Sequence, residues 1–413
     1  MKVLLATLGS AGDVHPFLAI GAALRARGHE VELLTNPVFE SQARAAGLHF
    51  HPVGTRAHYE NTLQNPVLWH PINGLGVMWR GMLRPAMEPV LSRISEVARR
   101  DRCVVLASPV AFGARLANEK LGVPLVSAYT AATMLRSCHH PLTIGPWRVP
   151  RWVPQPVRRM AWRLLDRYKL EPMARPGWRE LRRVAGLPDV TQNLFGQWMH
   201  SPDAGVTLFP DWFAKAAPDW PTQVLQAGFP LYDGAGPTEQ DGALERFLDA
   251  GDPPLVFMPG TAMRHARPFF EAAARTCAAT GLRGVLLCDD PDQIGLPLPG
   301  QLHHARYAPF GRLLPRARAL VHHGGVGSCA QALRAGIPQL LVPQAYDQFD
   351  NAMRLEHLGV GASLGHRSLD TMTSRLTRLL ASPEVAAACR YHAARLNPAE
   401  SLAMVCRTVE RFQ

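Results

Sequence analysis

Short apolar runs alternate along this chain with longer segments whose apolar residues recur at helical spacing. Near the N-terminus, the pattern predicts a strand at 2–8, a glycine loop at 9–12, a helix at 17–27 that ends at Gly28, and a strand at 30–35. This strand–loop–helix–strand succession is a βαβ unit, so we expect a parallel sheet.

The same alternation occurs in both halves of the chain. In the first half, it predicts strands at 103–107, 124–127 and 205–209, with a helix at 112–121. In the second half, it predicts strands at 255–258, 284–288, 319–321 and 339–342, and a last helix at 401–412. The sequence therefore predicts an α/β protein with two doubly wound domains, which bind ligands in a cleft at the carboxyl ends of their strands.

The length of 413 residues also favours two domains. Residues 228–241 are rich in Gly, Pro and Asp, and we predict that they form the linker. The expected boundaries are a first domain at 1–227, the linker at 228–241, a second domain at 242–398, and a C-terminal helix at 399–413.

A glycine-rich turn in the second half has the composition of an anion site. The segment 322–328 reads His-His-Gly-Gly-Val-Gly-Ser and lies between an apolar strand and a helical run. Unpaired N–H groups at a helix N-terminus attract anions, and glycine lets a diphosphate come close to the backbone. His323 can add a hydrogen-bond donor or a positive charge, while Asp347 and Gln348 can hold sugar hydroxyls. The pattern predicts a nucleotide-sugar site.

Charge and cysteine content narrow the class of protein. The net charge of +11 suits anionic partners, but Arg greatly outnumbers Lys and no zinc-finger or RNA-binding signature occurs, so we expect no nucleic-acid partner. Seven widely spaced cysteines without a C-x-x-C motif fit reduced, buried thiols. The N-terminal apolar run breaks too early for a signal peptide, and no apolar stretch is long enough for a membrane span. We therefore expect a cytoplasmic protein.

These motifs together resemble the family-1 glycosyltransferases of GT-B fold, over nearly the whole chain. The loop Gly9-Ser10-Ala11-Gly12-Asp13-Val14-His15-Pro16 resembles the sterol and antibiotic glycosyltransferase branch. The H-G-G-x-G-[ST] segment at 322–328, the G-I-P-Q-L segment at 336–340 and the Asp347-Gln348 pair resemble the family's donor signature. The resemblance implies an inverting transferase that needs neither a cofactor nor a metal.

The resemblance also implies roles for the N-terminal loop. Asp13 lies where relatives carry the catalytic base, and His15 is the rival for that role. On the residues alone, Asp13 could instead cap a helix that starts near Pro16. Ser10 and Gly12 of the same loop are expected to contact the donor.

In the second half, the resemblance assigns the donor contacts. The diphosphate would be held by His323, Gly325, Gly327, Ser328 and Thr261, with a helix cap as a second possible role for Ser328. Tyr307 and Ala308 lie where relatives stack the base, although Tyr307 could equally be a buried core residue. Gln331 stands where many relatives have a Glu for the ribose hydroxyls, and it lacks that charge. Asp347 and Gln348 would bind the sugar.

Three further segments resemble the bacterial rhamnosyltransferases that make mono-rhamnolipids: 197–202, 227–231 and 347–352. They imply dTDP-L-rhamnose as donor and a 3-(3-hydroxyalkanoyloxy)alkanoate as lipid-like acceptor. Two alternatives remain open: a UDP-glucose-dependent enzyme acting on a sterol, macrolide or other lipophilic acceptor, and a non-catalytic nucleotide-sugar-binding partner protein.

Residues 146–186 combine four tryptophans with many arginines. They form either a plain amphipathic helix with solvated arginines or a surface for the membrane interface, because Trp and Arg both suit a headgroup boundary. The second interpretation predicts peripheral contact with the inner membrane. Asp290-Pro291-Asp292 has the spacing of a D-x-D metal motif, but it follows a strand in a polar loop, and we interpret it as a loop only.

Overall fold

The computed structural model describes residues 1–140, 142–150, 152–189, 193–234, 242–295, 298–365 and 369–413. The chain forms two compact units, the first from 1–9, 13–230 and 397–413, and the second from 10–12 and 231–396. Part of the predicted linker, 235–241, lies outside the described residues.

The first unit is built on a parallel sheet of seven strands with the order β3-β2-β1-β4-β5-β8-β9. The strands are β1 (Lys2–Ala6), β2 (Glu30–Thr35), β3 (His49–Pro52), β4 (Cys103–Ala107), β5 (Leu125–Tyr129), β8 (Ala204–Thr207) and β9 (Val224–Gln226). A small antiparallel hairpin, β6 (Leu142–Ile144) and β7 (Trp147–Val149), stands apart from this sheet. The central strands are almost wholly buried, as is usual for a parallel sheet that helices cover on both faces.

Eight α-helices lie in the described part of the first unit that precedes the second unit in sequence. They are α1 (Ala11–Ala26), α2 (Glu40–Ala45), α3 (Arg56–Gln64), α4 (Gly74–Met78), α5 (Arg84–Ala98), α6 (Phe112–Leu121), α7 (Gln155–Leu165) and α8 (Glu171–Val184). π-Helical turns, Trp79–Leu83 and Asp166–Leu170, join α4 to α5 and α7 to α8. One core cluster packs the rings of Trp79, Phe112, Trp178 and Trp198 beneath α5 and α6.

The second unit repeats the architecture with a six-stranded parallel sheet of order β12-β11-β10-β13-β14-β15. Its strands are β10 (Leu255–Met258), β11 (Gly284–Leu287), β12 (Leu302–Ala305), β13 (Ala319–His322), β14 (Gln339–Leu341) and β15 (Gly361–Ser363). Its helices are α9 (Gly242–Asp249), α10 (Arg267–Thr280), α11 (Phe310–Leu313), α12 (Val326–Ala335), α13 (Gln348–His357), α14 (Met372–Ala381) and α15 (Pro383–Ala394).

Successive side chains of β10 pack into two different hydrophobic clusters, one on each face of this sheet. Leu255 and Phe257 pack with α10 and α14, whereas Val256 and Met258 pack with α9 and α12. This period of two is the pattern of a strand covered on both faces. The predicted fold class is confirmed, because two Rossmann-like parallel sheets define GT-B.

The first helix begins earlier than the sequence predicted. α1 starts at Ala11, within the expected glycine loop, and contains Pro16. Glycine and proline lower local helix propensity there, but the packing of Val14, Phe17 and Leu18 in the core overrides it. Asp13 therefore lies in the first turn of α1, and its interpretation as the cap of a helix that starts near Pro16 was wrong.

The last helix, α16 (Pro398–Glu410), belongs to the first unit although it follows the second in sequence. Glu410 accepts hydrogen bonds from Arg27 at 2.6 Å and lies 3.0 Å from His29. The Arg27 guanidinium, together with His29, lowers the pKa of Glu410 to about 2. All seven cysteines are buried free thiols, as expected.

Candidate functional site

The strand order of the second unit places two loops side by side. β10 pairs with β13, with Met258 opposite His322, so the segments that follow these strands emerge at adjacent carboxyl ends. Strand order reverses direction between β10 and β13, and doubly wound sheets bind their ligands at such a point. Gly260 and Thr261 follow β10, and His323 follows β13. The backbone alone therefore brings Thr261 close to the His-Gly-Gly turn.

The two adjacent histidines have different environments. His322 is fully buried, and its Nε2 lies 3.1 Å from Gln339 Oε1 while its Nδ1 accepts the Gly324 N–H. His323 is not fully buried, and its ring lies beside Gly260 and Gly325 of the two loops. Successive residues at a strand end point to opposite sides, so only one of the two can face a ligand. The structure favours His323 for that position.

Two glycines bracket the His323 ring. A β-carbon on Gly325 would lie 2.4 Å from His323 Nε2, and one on Gly260 would lie 3.1 Å from the same ring. Neither position can carry a side chain without moving the imidazole. Burial lowers the pKa of His323 to about 4, so the ring is neutral at physiological pH. We predicted that His323 adds either a hydrogen-bond donor or a positive charge. In the free protein the neutral ring can donate a hydrogen bond but carries no charge.

The start of α12 forms the rest of the predicted anion site. Gly325 is the N-cap, with no side-chain cap, and Gly327 and Ser328 lie in the first turn. A helix leaves its first N–H groups without intrahelical partners, and its dipole makes that end positive. Because α12 starts at Val326, Ser328 is the third helical residue and its predicted second role as a cap was wrong.

A buried asparagine joins this turn to the predicted sugar contacts. Asn351 Nδ2 donates to the Gly324 carbonyl at 2.9 Å and to Asp347 Oδ2 at 2.8 Å. Gln348 Oε1 accepts the N–H groups of Gln344 and Ala345, so its amide is fixed by the preceding loop. Asn351 lies one helical turn after Asp347, so their i, i+4 spacing is the signal that could have revealed this pairing.

The residue before Asp347 has an unusual backbone conformation. Tyr346 has a φ of 57°, and no other non-glycine residue in the described ranges has a positive φ. Such a conformation is costly for a bulky side chain and recurs at ligand sites. The turn that presents Asp347 is therefore held against local preference.

A third group of residues surrounds Gln331. Its Nε2 donates to the Tyr232 carbonyl and to Asp233 Oδ1, both at 3.2 Å, and Arg334 forms an ion pair with the other Asp233 oxygen. The side chain is 8 % exposed, and its Oε1 is buried without a hydrogen-bond partner. The sequence missed Asp233, which restores at this position the negative charge that Gln331 lacks.

Tyr307 belongs to the same neighbourhood. Its side chain is 42 % exposed, so the alternative of a buried core tyrosine was wrong. Desolvation, and then the charge of Asp233, raise the pKa of Tyr307. Ala308 beside it is buried. An exposed ring near a carboxylate and an unpaired amide oxygen can receive a base and its sugar.

In the first unit, Asp13 follows β1 at its carboxyl end. Thr7 Oγ1 donates to the Asp13 carbonyl at 3.0 Å. A β-carbon on Gly9, whose φ is 132°, would lie 2.2 Å from Asp13 Oδ2, so the carboxylate rests directly on the Gly9 backbone. Ser10 immediately precedes α1 and Gly12 lies in its first turn, and both are partly buried. The sequence singled out Asp13 but not the dependence of its position on Gly9.

His15, the rival base, is held differently. Its Nε2 lies 3.2 Å from Gln42 Oε1, and burial lowers its pKa to about 4. His15 is therefore neutral near pH 7, with its Nε2 beside the Gln42 amide. Which of Asp13 and His15 accepts the proton stays a prediction.

Buried neutral histidines predict acid sensitivity. Burial lowers the pKa of His15, His200 and His323 to about 4 and that of His322 to about 3. Unfolded histidines titrate near about 6.5, so the unfolded chain binds more protons between about pH 6.5 and 4, and stability falls on acidification through that range. We expect the urea concentration at the unfolding midpoint to fall steadily between about pH 7 and 5. In His200→Gln, the pH dependence of the unfolding free energy should correspond to about one proton fewer. A midpoint that stays constant would contradict this.

One cluster elsewhere has the composition of a metal site. Ligand atoms of Cys138, His139 and Asp219 lie within 4.8 Å of one another. Asp219 already accepts hydrogen bonds from Ser137 Oγ and the Cys138 N–H, and the Arg159 guanidinium is 3.6 Å from Cys138 Sγ. The nearby positive charge disfavours a cation. Asp290 caps a short 3-10 turn by accepting the Asp292 N–H, in keeping with its interpretation as a loop.

Comparison with known proteins agrees with this geometry. Residues 3–139 match the glycosyltransferase family 28 N-terminal domain, and residues 288–405 match the erythromycin biosynthesis protein CIII-like C-terminal domain. The O-mycaminosyltylonolide 6-deoxyallosyltransferase of Streptomyces fradiae is 28% identical over 415 residues, covering 94% of this chain and 92% of that protein.

Two solved structures show the same fold. The glycosyltransferase of kitacinnamycin has a TM-score of 0.74 at 20% identity and covers 100% of this chain and 98% of its own. The spinosyn rhamnosyltransferase SpnG, complexed with thymidine diphosphate, has a TM-score of 0.64 at 22% identity, with coverage of 99% and 100%.

The chain is therefore a nucleotide-sugar-dependent glycosyltransferase of GT-B fold. The chain combines the family 28 N-terminal match with the EryCIII-like C-terminal match, and it is similar to macrolide and sterol glycosyltransferases, in keeping with the predicted branch. The predicted class is confirmed.

Proposed function

We propose that the protein transfers L-rhamnose from dTDP-L-rhamnose to the hydroxyl of a 3-(3-hydroxyalkanoyloxy)alkanoate, with inversion at the sugar carbon. The observation that carries an acid–base transfer is the Asp13 carboxylate resting on Gly9 at the carboxyl end of β1. The mono-rhamnolipid resemblance of segments 197–202, 227–231 and 347–352 supports the choice of sugar and acceptor. Rhamnosyl and 6-deoxyallosyl transferases among the similar proteins support a 6-deoxyhexose.

In this proposal, the first unit binds the acceptor and supplies the base. Asp13 accepts the proton of the acceptor hydroxyl as the oxygen attacks the anomeric carbon. The bond from that carbon to the diphosphate oxygen breaks, and its electron pair leaves with the nucleoside diphosphate. The products are the glycoside and the free nucleoside diphosphate, and Asp13 is left protonated. A positioned base contributes about 10²–10⁴-fold to such a step.

The second unit binds the donor. N–H groups at the start of α12, with Ser328, Thr261 and a neutral His323, offer hydrogen bonds to the diphosphate as its charge develops. Asp347, supported by Asn351, and Gln348 bind the sugar hydroxyls. This division of labour needs no metal, because fixed N–H donors stabilise the leaving group.

We further propose that Asp233 and Gln331 together bind the sugar of the nucleoside. Gln331 Oε1 is an acceptor without a partner, and Asp233 supplies the carboxylate charge beside it. Replacing Asp233 with Asn keeps the shape but removes the charge. We expect Asp233→Asn to weaken dTDP binding by about tenfold, since a hydrogen bond to a charged group contributes about 1.5–3 kcal/mol.

Isothermal titration with dTDP measures this loss. Asp249→Asn is the matched control, because Asp249 also forms an ion pair with an arginine of the second unit, Arg316. Equal affinity of Asp233→Asn and the wild type would remove Asp233 from the site.

The transfer itself is tested by mass spectrometry of products. Purified protein is mixed with a hydroxyalkanoyloxyalkanoate and, separately, with dTDP-rhamnose, dTDP-glucose or UDP-glucose, with EDTA present. A rhamnosylated lipid from dTDP-rhamnose alone is the expected result. Glucosylation would overturn the donor, and dTDP binding without any product would point to a different acceptor or to a binding protein.

A further inference from the structure

Helix α7 and the turn after it present an apolar stripe to solvent. Val157, Met160, Leu164 and Tyr168, which we name the α7 stripe, are 54%, 50%, 47% and 70% exposed. Their spacing of three, four and four residues places them on one face of the helix. Trp152, just before the helix, is 81% exposed. Four consecutive apolar side chains on a single solvent-facing stripe exceed the scattered exposure that is normal for a surface.

The orientation of this helix is fixed from its other side. Arg158 is buried and donates to the His140 carbonyl at 3.0 Å. Asp166 is also buried and accepts from Arg136 at 2.5 Å and from Asn193. These polar contacts hold the opposite face against the first unit. The helix therefore cannot turn its apolar stripe inward without breaking a buried ion pair.

Positive charge surrounds the stripe. Residues 147–170 contain seven arginines and lysines but a single carboxylate, Asp166, which is the buried one. Arg163 and Arg167 are exposed, and no carboxylate in the described ranges lies within ion-pair distance of either. Apart from Gln155, the exposed side chains that the structure describes in this segment are thus cationic, apolar or aromatic.

We infer that the α7 stripe and its arginines form a docking surface for an anionic phospholipid bilayer. Apolar side chains enter the boundary between headgroups and acyl chains, and flanking arginines meet the phosphates. The structure refines the sequence-based expectation, because Trp178 belongs to the core whereas Trp147 and Trp152 are exposed. The helices of the described ranges include none that could cross a membrane, so the contact is peripheral. The inference does not depend on which sugar is transferred.

Flotation of the full-length protein with vesicles tests this surface. We expect flotation with phosphatidylglycerol-containing vesicles, none with pure phosphatidylcholine, and loss of binding at about 1 M salt, where screening acts within about 3 Å. Met160→Glu/Leu164→Glu and Arg163→Gln/Arg167→Gln should each weaken vesicle binding at least about tenfold.

Matched controls come from exposed side chains outside residues 147–170. Leu121→Glu/Tyr391→Glu replaces two other exposed apolar side chains, and Arg375→Gln/Arg378→Gln removes two exposed charges from α14. Both control variants should float like the wild type. If the glutamate variant fails to fold, the arginine variant, which leaves the apolar stripe intact, decides the question.

Three results would overturn the inference. The first is no flotation of the wild type with anionic vesicles. The second is equal loss of binding in the surface variants and their controls, which would indicate a diffuse charge effect. The third is a dimer in analytical ultracentrifugation that Met160→Glu/Leu164→Glu dissociates without any vesicle binding, since the stripe would then join two copies of this chain. dTDP binding remains intact in each case, which separates this failure from failure of the proposed function.

Discussion

Replacing Asp13 with Asn should lower kcat by about 10²–10⁴-fold while dTDP affinity stays within about twofold. The amide has nearly the shape of the carboxylate but cannot accept the acceptor's proton. Product formation is followed by mass spectrometry and donor binding by titration with dTDP. Asp211→Asn, which changes an exposed carboxylate of the same unit, should keep wild-type activity.

The position of the carboxylate can be tested separately from its charge. Gly9→Ala would place a β-carbon 2.2 Å from Asp13 Oδ2, whereas nothing lies within 4 Å of a β-carbon on Gly28. Both glycines have positive φ, so alanine strains the backbone at either position and only Gly9→Ala also displaces the carboxylate. Gly9→Ala should lose activity and Gly28→Ala should lose only stability. Retained activity in Asp13→Asn, together with its loss in His15→Gln, would assign the base to His15 instead.

Replacing His323 with Ala should reduce kcat by about 10²–10³-fold, the usual effect of losing one donor to a developing charge. Gly325→Ala should act in the same direction, because its β-carbon would lie 2.4 Å from His323 Nε2 and displace the ring. The φ of Gly325 is −62°, so alanine causes no backbone strain there. The loss would therefore report ring displacement.

Gly300→Ala serves as the control for this steric argument. A β-carbon on Gly300 meets nothing within 4 Å, and its activity should match the wild type. Steady-state kinetics with varied donor distinguishes a change in kcat from one in KM. Wild-type kcat in Gly325→Ala would show that the ring is not confined as the structure indicates.

Local pattern was sufficient to predict most of the architecture. The predicted strands at 30–35, 103–107 and 255–258 and the helix at 112–121 have the observed bounds. These segments are continuous apolar runs or clear helical periods bounded by glycine, where local and tertiary preferences agree. Prediction failed where local and tertiary preferences disagree. At the start of α1, glycine and proline disfavour a helix, but residues that follow them are buried in the core.

The site was predictable by residue type but not by arrangement. Asp13 and His323 each follow a predicted strand in a glycine-rich segment, and that position identified them as candidate site residues. Their confinement by Gly9 and Gly325 depends on side-chain direction, which no local pattern encodes. Asp233 could not be found either, because its partner Gln331 lies 98 residues further along the chain. Contacts at such separation arise only from the complete fold.

The return of α16 to the first unit has a practical consequence for protein engineering. The second unit is an insertion within the first, since 397–413 complete the fold that 13–230 begin. A chimera intended to change sugar preference therefore needs two junctions, near 231 and 396, so that the host keeps its own final helix. With a single crossover, Arg27 and His29 would pack against the final helix of the other protein, which has no carboxylate matched to them as Glu410 is. We expect such a chimera to express poorly, because its first unit would be incomplete.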